Sequence, residues 1–262
     1  MSYKHLVLLL CLLTCSLSAF AEDWTKSYQV GNNASLRVDT NDASIEVTRG
    51  VSNTISAHVI AEGYSIGSSG VTITERQDAD KVDLQVHIPN QWFHFGMHQG
   101  VRIEVQVPPL VALDLHSGDG HILVNGVAGQ ARLDTGDGHI AVQNFTGNLR
   151  GHTGDGHMSI DGSFSDLELR SGDGHIDLVV HPGSKMAGSW LVHTSDGRVD
   201  ARLPQDLAAE LYAHTGDGHI QLDFPVTISG SIERTRIRGK LNGGGPLLEI
   251  STGDGSIRIG KE

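Results

Sequence analysis

Apolar and polar residues alternate over short segments along most of the chain, and glycine-rich turns separate these segments. In "GHMSIDG", Met158 and Ile160 alternate with polar residues, and in "SDLELRS" Leu167 and Leu169 do the same. An alternation of period two is typical of a β-strand with one buried face. The pattern predicts an all-β chain of many short strands, and 33 glycines with only 5% aromatic residues fit such a fold.

The predicted strands are arranged around a repeated motif, [S/T]-G-D-G, with one variant T-S-D-G. The first three intervals between the motif aspartates are 18 residues each, and the later intervals are longer. A single repeat buries too few apolar side chains to offset the entropy lost on ordering it, so the repeats must stack on one another. We expect a parallel, right-handed β-solenoid with coils of about 18 residues. The motif aspartates are Asp119, Asp137, Asp155, Asp173, Asp196, Asp217 and Asp254.

The chain is predicted to contain four segments. Residues 1–21 form a signal peptide, and residues 22–50 form a first coil, since "RVDTNDASIEV" fits the repeat. Residues 51–109 interrupt the repeats with alternating strands of their own, which predicts an inserted β-rich module that caps the stack. Residues 110–262 form the remaining repeats and a closing coil.

The first segment has the three parts of a secretory leader. Lys4 precedes an apolar run that is too short to span a bilayer, and small residues up to Ala21 precede an acidic pair. Export to the periplasm or the cell surface is therefore expected. A lipoprotein signal, with Cys15 as the lipidated residue, is the alternative.

Charge and cysteine content exclude several classes of function. A net charge of −12 argues against nucleic acid as a partner, and nothing after residue 21 resembles a transmembrane segment. Both cysteines, Cys11 and Cys15, lie in the predicted leader, so the mature chain has no disulfide and no thiolate site. The sequence carries no prediction of oligomeric state.

The Gly-Asp-Gly motif has two interpretations, and the first is a structural corner. In it the glycines adopt backbone conformations closed to other residues, and the aspartate caps nearby amides. The preceding serine or threonine column stacks its hydroxyls just inside. This interpretation needs no cofactor.

The second interpretation is a cation-binding stripe. Like charges about 4.8 Å apart repel by roughly 1 kcal/mol even in water, so a file of aspartates calls for neutralisation. Histidines beside these carboxylates suit Zn²⁺ or Cu²⁺, whereas the G-G-x-G-x-D spacing of calcium-binding β-rolls is absent. The candidate metal ligands are Asp119, His121, Asp137, His139, Asp155, His157, Asp173, His175, Asp217 and His219.

One segment combines several aromatic side chains. "NQWFHFGMHQG" contains Trp92, Phe93 and Phe95, the densest aromatic cluster of the chain. It either plugs the open end of the stack or forms a loop that binds a glycan or a protein.

A second segment concentrates positive charge. In "GSIERTRIRGK", Arg234, Arg236 and Arg238 alternate with other residues, which places three guanidinium groups on one face of a strand, and Lys240 follows. These cations either balance the aspartates or bind an anionic envelope ligand.

A catalytic role is not expected, because an active site is a unique constellation and this motif occurs seven times. No nucleophile elbow, H-E-x-x-H or phosphate-binding glycine loop is present in the sequence. A polysaccharide-acting β-helix enzyme is the third functional alternative, after a binding surface and a metal-binding surface protein.

The segments "VRIEVQVPPLVALDLHSGDGHILVNGV" and "GKLNGGGPLLEISTGDGSIRI", with the repeated "TGDGHI", resemble the bacterial toast-rack family over about residues 30–260. That resemblance implies an exported β-solenoid domain of largely unknown function, of the kind named "putative adhesin", with no catalytic residues to transfer. Histidine after Gly-Asp-Gly departs from the family pattern, in which small or polar residues are usual. The expected function is a non-enzymatic cell-envelope scaffold or adhesin-like binding surface.

Overall fold

The computed structural model describes residues 21–51, 53–89, 99–223 and 227–262, without the side chains of residues 227–232. Every regular element within these residues is a β-strand, which confirms the all-β prediction. No helix long and apolar enough to cross a membrane occurs in this part of the chain. The strands are β1 (Ala21–Gln29), β2 (Ser35–Thr40), β3 (Ser44–Arg49), β4 (Thr54–Glu62), β5 (Thr72–Asp78), β6 (Lys81–His87), β7 (Gly100–Val107), β8 (Leu110–Ser117), β9 (Ile122–Asn125), β10 (Ala128–Thr135), β11 (Ile140–Thr153), β12 (Met158–Ser171), β13 (Ile176–Val180), β14 (Trp190–Asp196), β15 (Val199–Leu203), β16 (Ala209–Asp217), β17 (Ile220–Leu222), β18 (Thr227–Glu233), β19 (Arg236–Leu241), β20 (Leu247–Asp254) and β21 (Ile257–Lys261).

Backbone hydrogen bonds join the 21 strands into one mixed sheet, in which two strand rows share β11 and β12. The first strand row runs in space as β5–β6–β2–β8–β10–β11–β12–β14–β20–β16–β19–β18. The second strand row runs as β1–β4–β7–β3–β9–β11–β12–β13–β15–β21–β17. β11 and β12 have 14 residues each, and their first halves lie in the second row and their last halves in the first.

Neighbouring strands in the middle of both rows are parallel, and their register places equivalent side chains side by side. Leu113 of β8 pairs with Ala131 of β10, which pairs with Leu149 of β11, which in turn pairs with Leu167 of β12. Each step along this series is 18 residues, and all four side chains are buried. The core is therefore a set of continuous apolar files between the two strand rows.

Three of the four row ends are antiparallel, and the second row ends in β17, which is parallel to β21. At one end β4 is antiparallel to β1 and β7, and β5 is antiparallel to β6; at the other end β19 is antiparallel to β16 and β18. The described strands of the predicted 51–109 segment thus fall into two groups: β4 and β5 are antiparallel to their neighbours, whereas β6 and β7 extend the rows in parallel with β2 and β3. The antiparallel strands at these three ends keep the parallel repeats from presenting their own backbone edges there.

The order of strands in the rows differs from their order in the sequence. β20 lies between β14 and β16, and β21 lies between β15 and β17. The closing repeat is therefore inserted between two earlier repeats. In stacking order the motif aspartates are Asp119, Asp137, Asp155, Asp173, Asp196, Asp254 and Asp217.

Candidate functional site

The inside of each Gly-Asp-Gly corner is lined by one hydroxyl side chain. The serine or threonine before the motif lies at or near the end of its strand with the side chain directed inward, at an exposure of 0% to 3%. The position predicted for this column is confirmed. Its members are Thr40, Ser117, Thr135, Thr153, Ser171, Thr194, Thr252 and Thr215.

These hydroxyls connect neighbouring corners. Thr153 Oγ1 accepts from the amide of Gly156 in its own corner at 3.1 Å and donates to the carbonyl of Gly138 in the preceding corner at 2.9 Å. Ser171 Oγ does the same with the Gly174 amide at 3.0 Å and the Gly156 carbonyl at 3.2 Å. Since a hydroxyl both donates and accepts, one side chain satisfies two buried backbone groups.

The second glycine of these corners is required by close contact. A Cβ on Gly138, Gly156 or Gly174 would lie 2.1, 1.9 or 1.8 Å from the carbonyl oxygen of the equivalent glycine in the preceding corner. None of these three glycines has a positive φ. The predicted conformation closed to other residues therefore does not occur at these three glycines, where the reason for glycine is the close approach of two backbones. The equivalent Gly197, Gly218 and Gly255 do have a positive φ, of 159°, 158° and 152°.

The corner aspartates do not cap the corner. Asp119, Asp137, Asp155 and Asp173 are exposed, and within the described residues their carboxylates accept no hydrogen bond and form no ion pair. The predicted capping by aspartate is wrong, because the inward hydroxyl of Thr153 and its equivalents already occupies the corner amide. The aspartates therefore form an unneutralised file along one edge of the molecule.

The histidines that follow the motif form a ladder beside this file. The rings of His121 and His139 stack with centroids 4.9 Å apart and an interplanar angle of 2°. The rings of His139 and His157 lie 6.2 Å apart, and those of His157 and His175 lie 6.4 Å apart, both edge to face. The structure thus brings four of the five predicted histidines into consecutive layers. His219 is separated from His175 by the layers of Arg198 and Ser256.

Backbone amides use the Nδ1 atoms of this ladder. His121 Nδ1 accepts from the amide of His139 at 3.0 Å, His139 Nδ1 from the amide of His157 at 3.0 Å, and His175 Nδ1 from the amide of Arg198 at 3.1 Å. An Nδ1 atom that accepts carries no hydrogen, so the neutral ring has its proton on Nε2. The sequence pattern gave no sign of this role, because a histidine column looks the same whether its rings bind a backbone or a metal.

This hydrogen bonding competes with metal binding. A metal at Nδ1 would displace the backbone amide. A metal at Nε2 would take the place of the ring proton, and Nδ1 cannot carry that proton while it accepts from the amide. His157 differs, since its Nε2 lies 3.3 Å from the Asp177 carboxylate, and His219 Nδ1 lies 3.3 Å from Ser256 Oγ. Among the residues that the structure describes, no group of three or more potential ligands is placed to hold a metal ion. The metal stripe stays a prediction.

Part of the positively charged segment forms β19, near the far end of the first strand row, but Arg234 lies in the turn before it. The prediction that three guanidinium groups share one strand face therefore holds only for Arg236 and Arg238. Arg236 and Arg238 are exposed and Lys240 is half-buried, and their side chains share the outward face of the strand. The Arg238 guanidinium lies over the ring of Tyr212, 4.8 Å from its centroid. No ion pair joins these cations to a corner aspartate in the described part of the chain. The interpretation that they balance the aspartate file therefore has no direct contact behind it and stays a prediction.

A polar cluster near the other end involves β1 and β5. Glu75 accepts hydrogen bonds from Lys26 and Tyr28. Burial, together with the hydrogen bond to Glu75, raises the pKa of the Tyr28 hydroxyl, and the hydrogen bonds from Lys26 and Tyr28 lower the pKa of the Glu75 carboxyl. The Glu75 carboxylate is thus paired with the Lys26 ammonium where β5 meets β1, the end strand of the second row.

The profile of a known family, Toastrack DUF4097, matches residues 34–260. The chain belongs to the Toastrack family. This confirms the resemblance seen in the repeated motif and in the closing segment. No curated protein matches this Toastrack chain.

Solved structures of low sequence identity overlap most of the Toastrack chain. One is named a "putative cell adhesion protein" from Clostridium sporogenes, with 9% identity, a TM-score of 0.44, and coverage of 93% of this chain and 100% of the other. A second is a "putative adhesin" from Bacteroides fragilis, with 11% identity, a TM-score of 0.45, and coverage of 91% and 97%. A third is a "putative lipid binding protein" from Parabacteroides distasonis, with 9% identity, a TM-score of 0.39, and coverage of 90% and 96%.

Two other predictions for the Toastrack chain lie outside the described residues. The aromatic cluster of Trp92, Phe93 and Phe95 is one, and all but the last residue of the predicted leader, 1–21, is the other. Both stay predictions.

Proposed function

We propose that the chain is an exported, parallel β-solenoid of the cell envelope that acts as a non-enzymatic scaffold or adhesin-like binding surface. The parallel register of residues 18 apart in β8, β10, β11 and β12 supports coils of that length. The leader pattern at residues 1–21 supports export.

The proposed divisions follow the strand partners. Residues 22–50 contribute β2 and β3 to the parallel rows as one coil, and residues 110–262 contribute the remaining parallel repeats with β18 and β19 at their end. Residues 51–109 serve as the capping module, since β4 and β5 supply antiparallel strands at the other end.

One observation carries the proposal: outward side chains of the first strand row line up across its strands. The register sets Arg37 beside Asp114, Asp114 beside Arg132, Arg132 beside Arg150, and Arg150 beside Glu168. The row has twelve strands, and at about 4.8 Å between neighbours it is roughly 50 Å long.

A rigid surface of this kind suits binding to an extended ligand. Ion pairs such as Arg37 with Asp114 at 3.7 Å and Arg150 with Glu168 at 3.7 Å hold the outward side chains in place. Ordered side chains lose less conformational entropy when a ligand binds. Repeat proteins use such long continuous surfaces for recognition. The ligand class that we propose is an envelope glycan or a protein, with Trp92, Phe93 and Phe95 as an additional contact.

The test is binding of the tag-free mature chain to a glycan array and to purified envelope proteins. Arg150→Glu changes the first strand row, Arg202→Glu makes the same charge change on the second row, and Trp92→Ala tests the aromatic cluster. We expect specific binding that Arg150→Glu weakens and Arg202→Glu does not. Absence of any specific ligand would reject the binding function, and release of new reducing ends from a bound glycan would show an enzyme instead.

A further inference from the structure

The strand β19 and its neighbour β16 form a cationic patch, defined here as Arg236, Arg238, Lys240 and Tyr212. The patch lies at the far end of the first strand row of a chain whose net charge is −12. Its three cations occupy alternate positions of one strand, so they are about 6.8 Å apart along it. Such regular spacing presents a line of positive charge to a linear ligand.

The cations of the patch are available. Within the described residues Arg236, Arg238 and Lys240 have no carboxylate within ion-pair distance. Residues 224–232 contain no acidic residue in the sequence, and the adjacent edge strand β18 ends in Glu233. Among the described residues Arg37, Arg150 and Arg170 have carboxylate partners, whereas Arg236 and Arg238 have none and lie two residues apart on one strand face.

Three carboxylates stand near the patch in the strand register. Glu210 is opposite Lys240, Glu233 is opposite Arg236, and Glu249 is opposite Tyr212. Within the described residues Glu210 and Glu249 form no ion pair with the arginines, so their charges lower the local positive potential without pairing directly with a guanidinium. His214, whose Nδ1 lies 3.1 Å from the Thr235 carbonyl, is held beside the patch and donates to that oxygen.

The patch is organised before any ligand binds. The Arg238 guanidinium rests on the Tyr212 ring, and this ring is in turn stacked near His214, with centroids 6.4 Å apart and an interplanar angle of 20°. Beside them lies an open groove of about 360 Å³, in which one carboxylate stands among the cations. The groove is lined by Glu210, Leu211, Tyr212, Arg238, Gly239, Lys240 and Leu247. That volume is at the lower end of the range for ligand clefts, which fits one or two units of a polymer better than a folded domain.

We infer that this patch binds an acidic polysaccharide through its carboxylate or phosphate groups. Planar guanidinium groups pair with both kinds of anion through two parallel hydrogen bonds. A lipid surface is less favoured, because membrane binding of this type needs several exposed apolar side chains, and Leu247, 37% exposed, is the only large one near the groove among the described residues. The inference rests on the proposed function, for which it names one ligand class and one location.

The test measures binding of the tag-free mature chain to a polyuronate, to a phosphate-bearing polysaccharide and to neutral dextran. The variant is Arg236→Gln with Arg238→Gln, and the matched control is Arg202→Gln with Arg258→Gln, which removes the same charge from the second strand row. We expect binding to at least one acidic polymer and not to dextran. The patch variant should bind about tenfold more weakly, the control should change less than about twofold, and added salt should weaken the wild-type complex.

Equal binding by the patch variant, or an equal loss in the control, overturns the inference. Binding to vesicles of anionic phospholipid without binding to either acidic polysaccharide also overturns it. If the double variant does not fold, Arg236→Gln and Lys240→Gln are measured singly, and each is expected to weaken binding by about two- to fivefold. Specific binding of other glycans with no effect at β19 would leave the proposed function intact and remove only this inference.

Discussion

Replacement of His139 tests the histidine ladder most directly. The structure assigns its Nδ1 atom as the acceptor for the His157 amide at 3.0 Å, and its ring stacks on His121 at 4.9 Å. His139→Phe keeps a ring of similar size and removes the acceptor. His139→Asn removes the ring and keeps an oxygen close to the position of Nδ1. The two variants therefore separate stacking from hydrogen bonding.

The expected loss follows from one hydrogen bond near the surface. A net intramolecular hydrogen bond contributes about 1 kcal/mol, and the half-buried position of His157 lets water replace part of it. We expect His139→Phe to lower the free energy of unfolding by about 1 kcal/mol, and His139→Asn by less than half of that. For a chain of 262 residues the first loss is a drop of roughly 2–4 °C in Tm.

The assay is urea unfolding followed by tryptophan fluorescence, to which the fully buried Trp190 contributes, together with far-UV circular dichroism. The matched control is His152→Phe, because His152 is exposed and has no polar partner among the described residues. Amide hydrogen exchange at His157 gives a direct readout, since that amide should exchange faster in His139→Phe only. Equal stability of His139→Phe and His152→Phe would refute the assignment, and so would an equal loss in His139→Asn.

Three further predictions concern the corners. Gly156→Ala places a Cβ 1.9 Å from a backbone oxygen and should lower the free energy of unfolding in urea by about 3 kcal/mol or more. Gly188→Ala, with open space around its Cβ, should leave it unchanged. Similar stabilities of the two variants would contradict the close contact. Thr153→Val removes a hydroxyl that satisfies two buried backbone groups and should lower the free energy of unfolding by about 1–3 kcal/mol, while Thr153→Ser should leave it nearly unchanged. Thermal melts of both variants check this. Asp155→Asn should raise stability by up to about 1 kcal/mol at low salt and less at high salt, because its carboxylate has no partner; a loss of stability would instead indicate a bound cation.

Much of the candidate site was predictable from the repeated residues themselves. The inward position of Thr153 and its equivalents follows from alternation with the buried apolar residues on each side of the corner. The roles of Asp155 and Gly156 were not predictable in the same way. The carboxylate and the hydroxyl compete for one corner amide, and only the packing distance between two layers decides that the inward hydroxyl binds it and that Gly156 has no room for a side chain.

The sequence by itself determined the class of fold, the strand–corner–strand repeat and the side of each strand that is buried, because these depend on local alternation and on residues within one repeat. Only the tertiary structure decided which repeats are neighbours. The closing strands β20 and β21 lie between β14/β15 and β16/β17, although the sequence places them last. The physical reason is that every repeat presents nearly the same apolar file and the same backbone donors and acceptors, so many stacking orders satisfy the local pattern. Long-range packing selects one of them, with the antiparallel pair β18 and β19 at the end of the row.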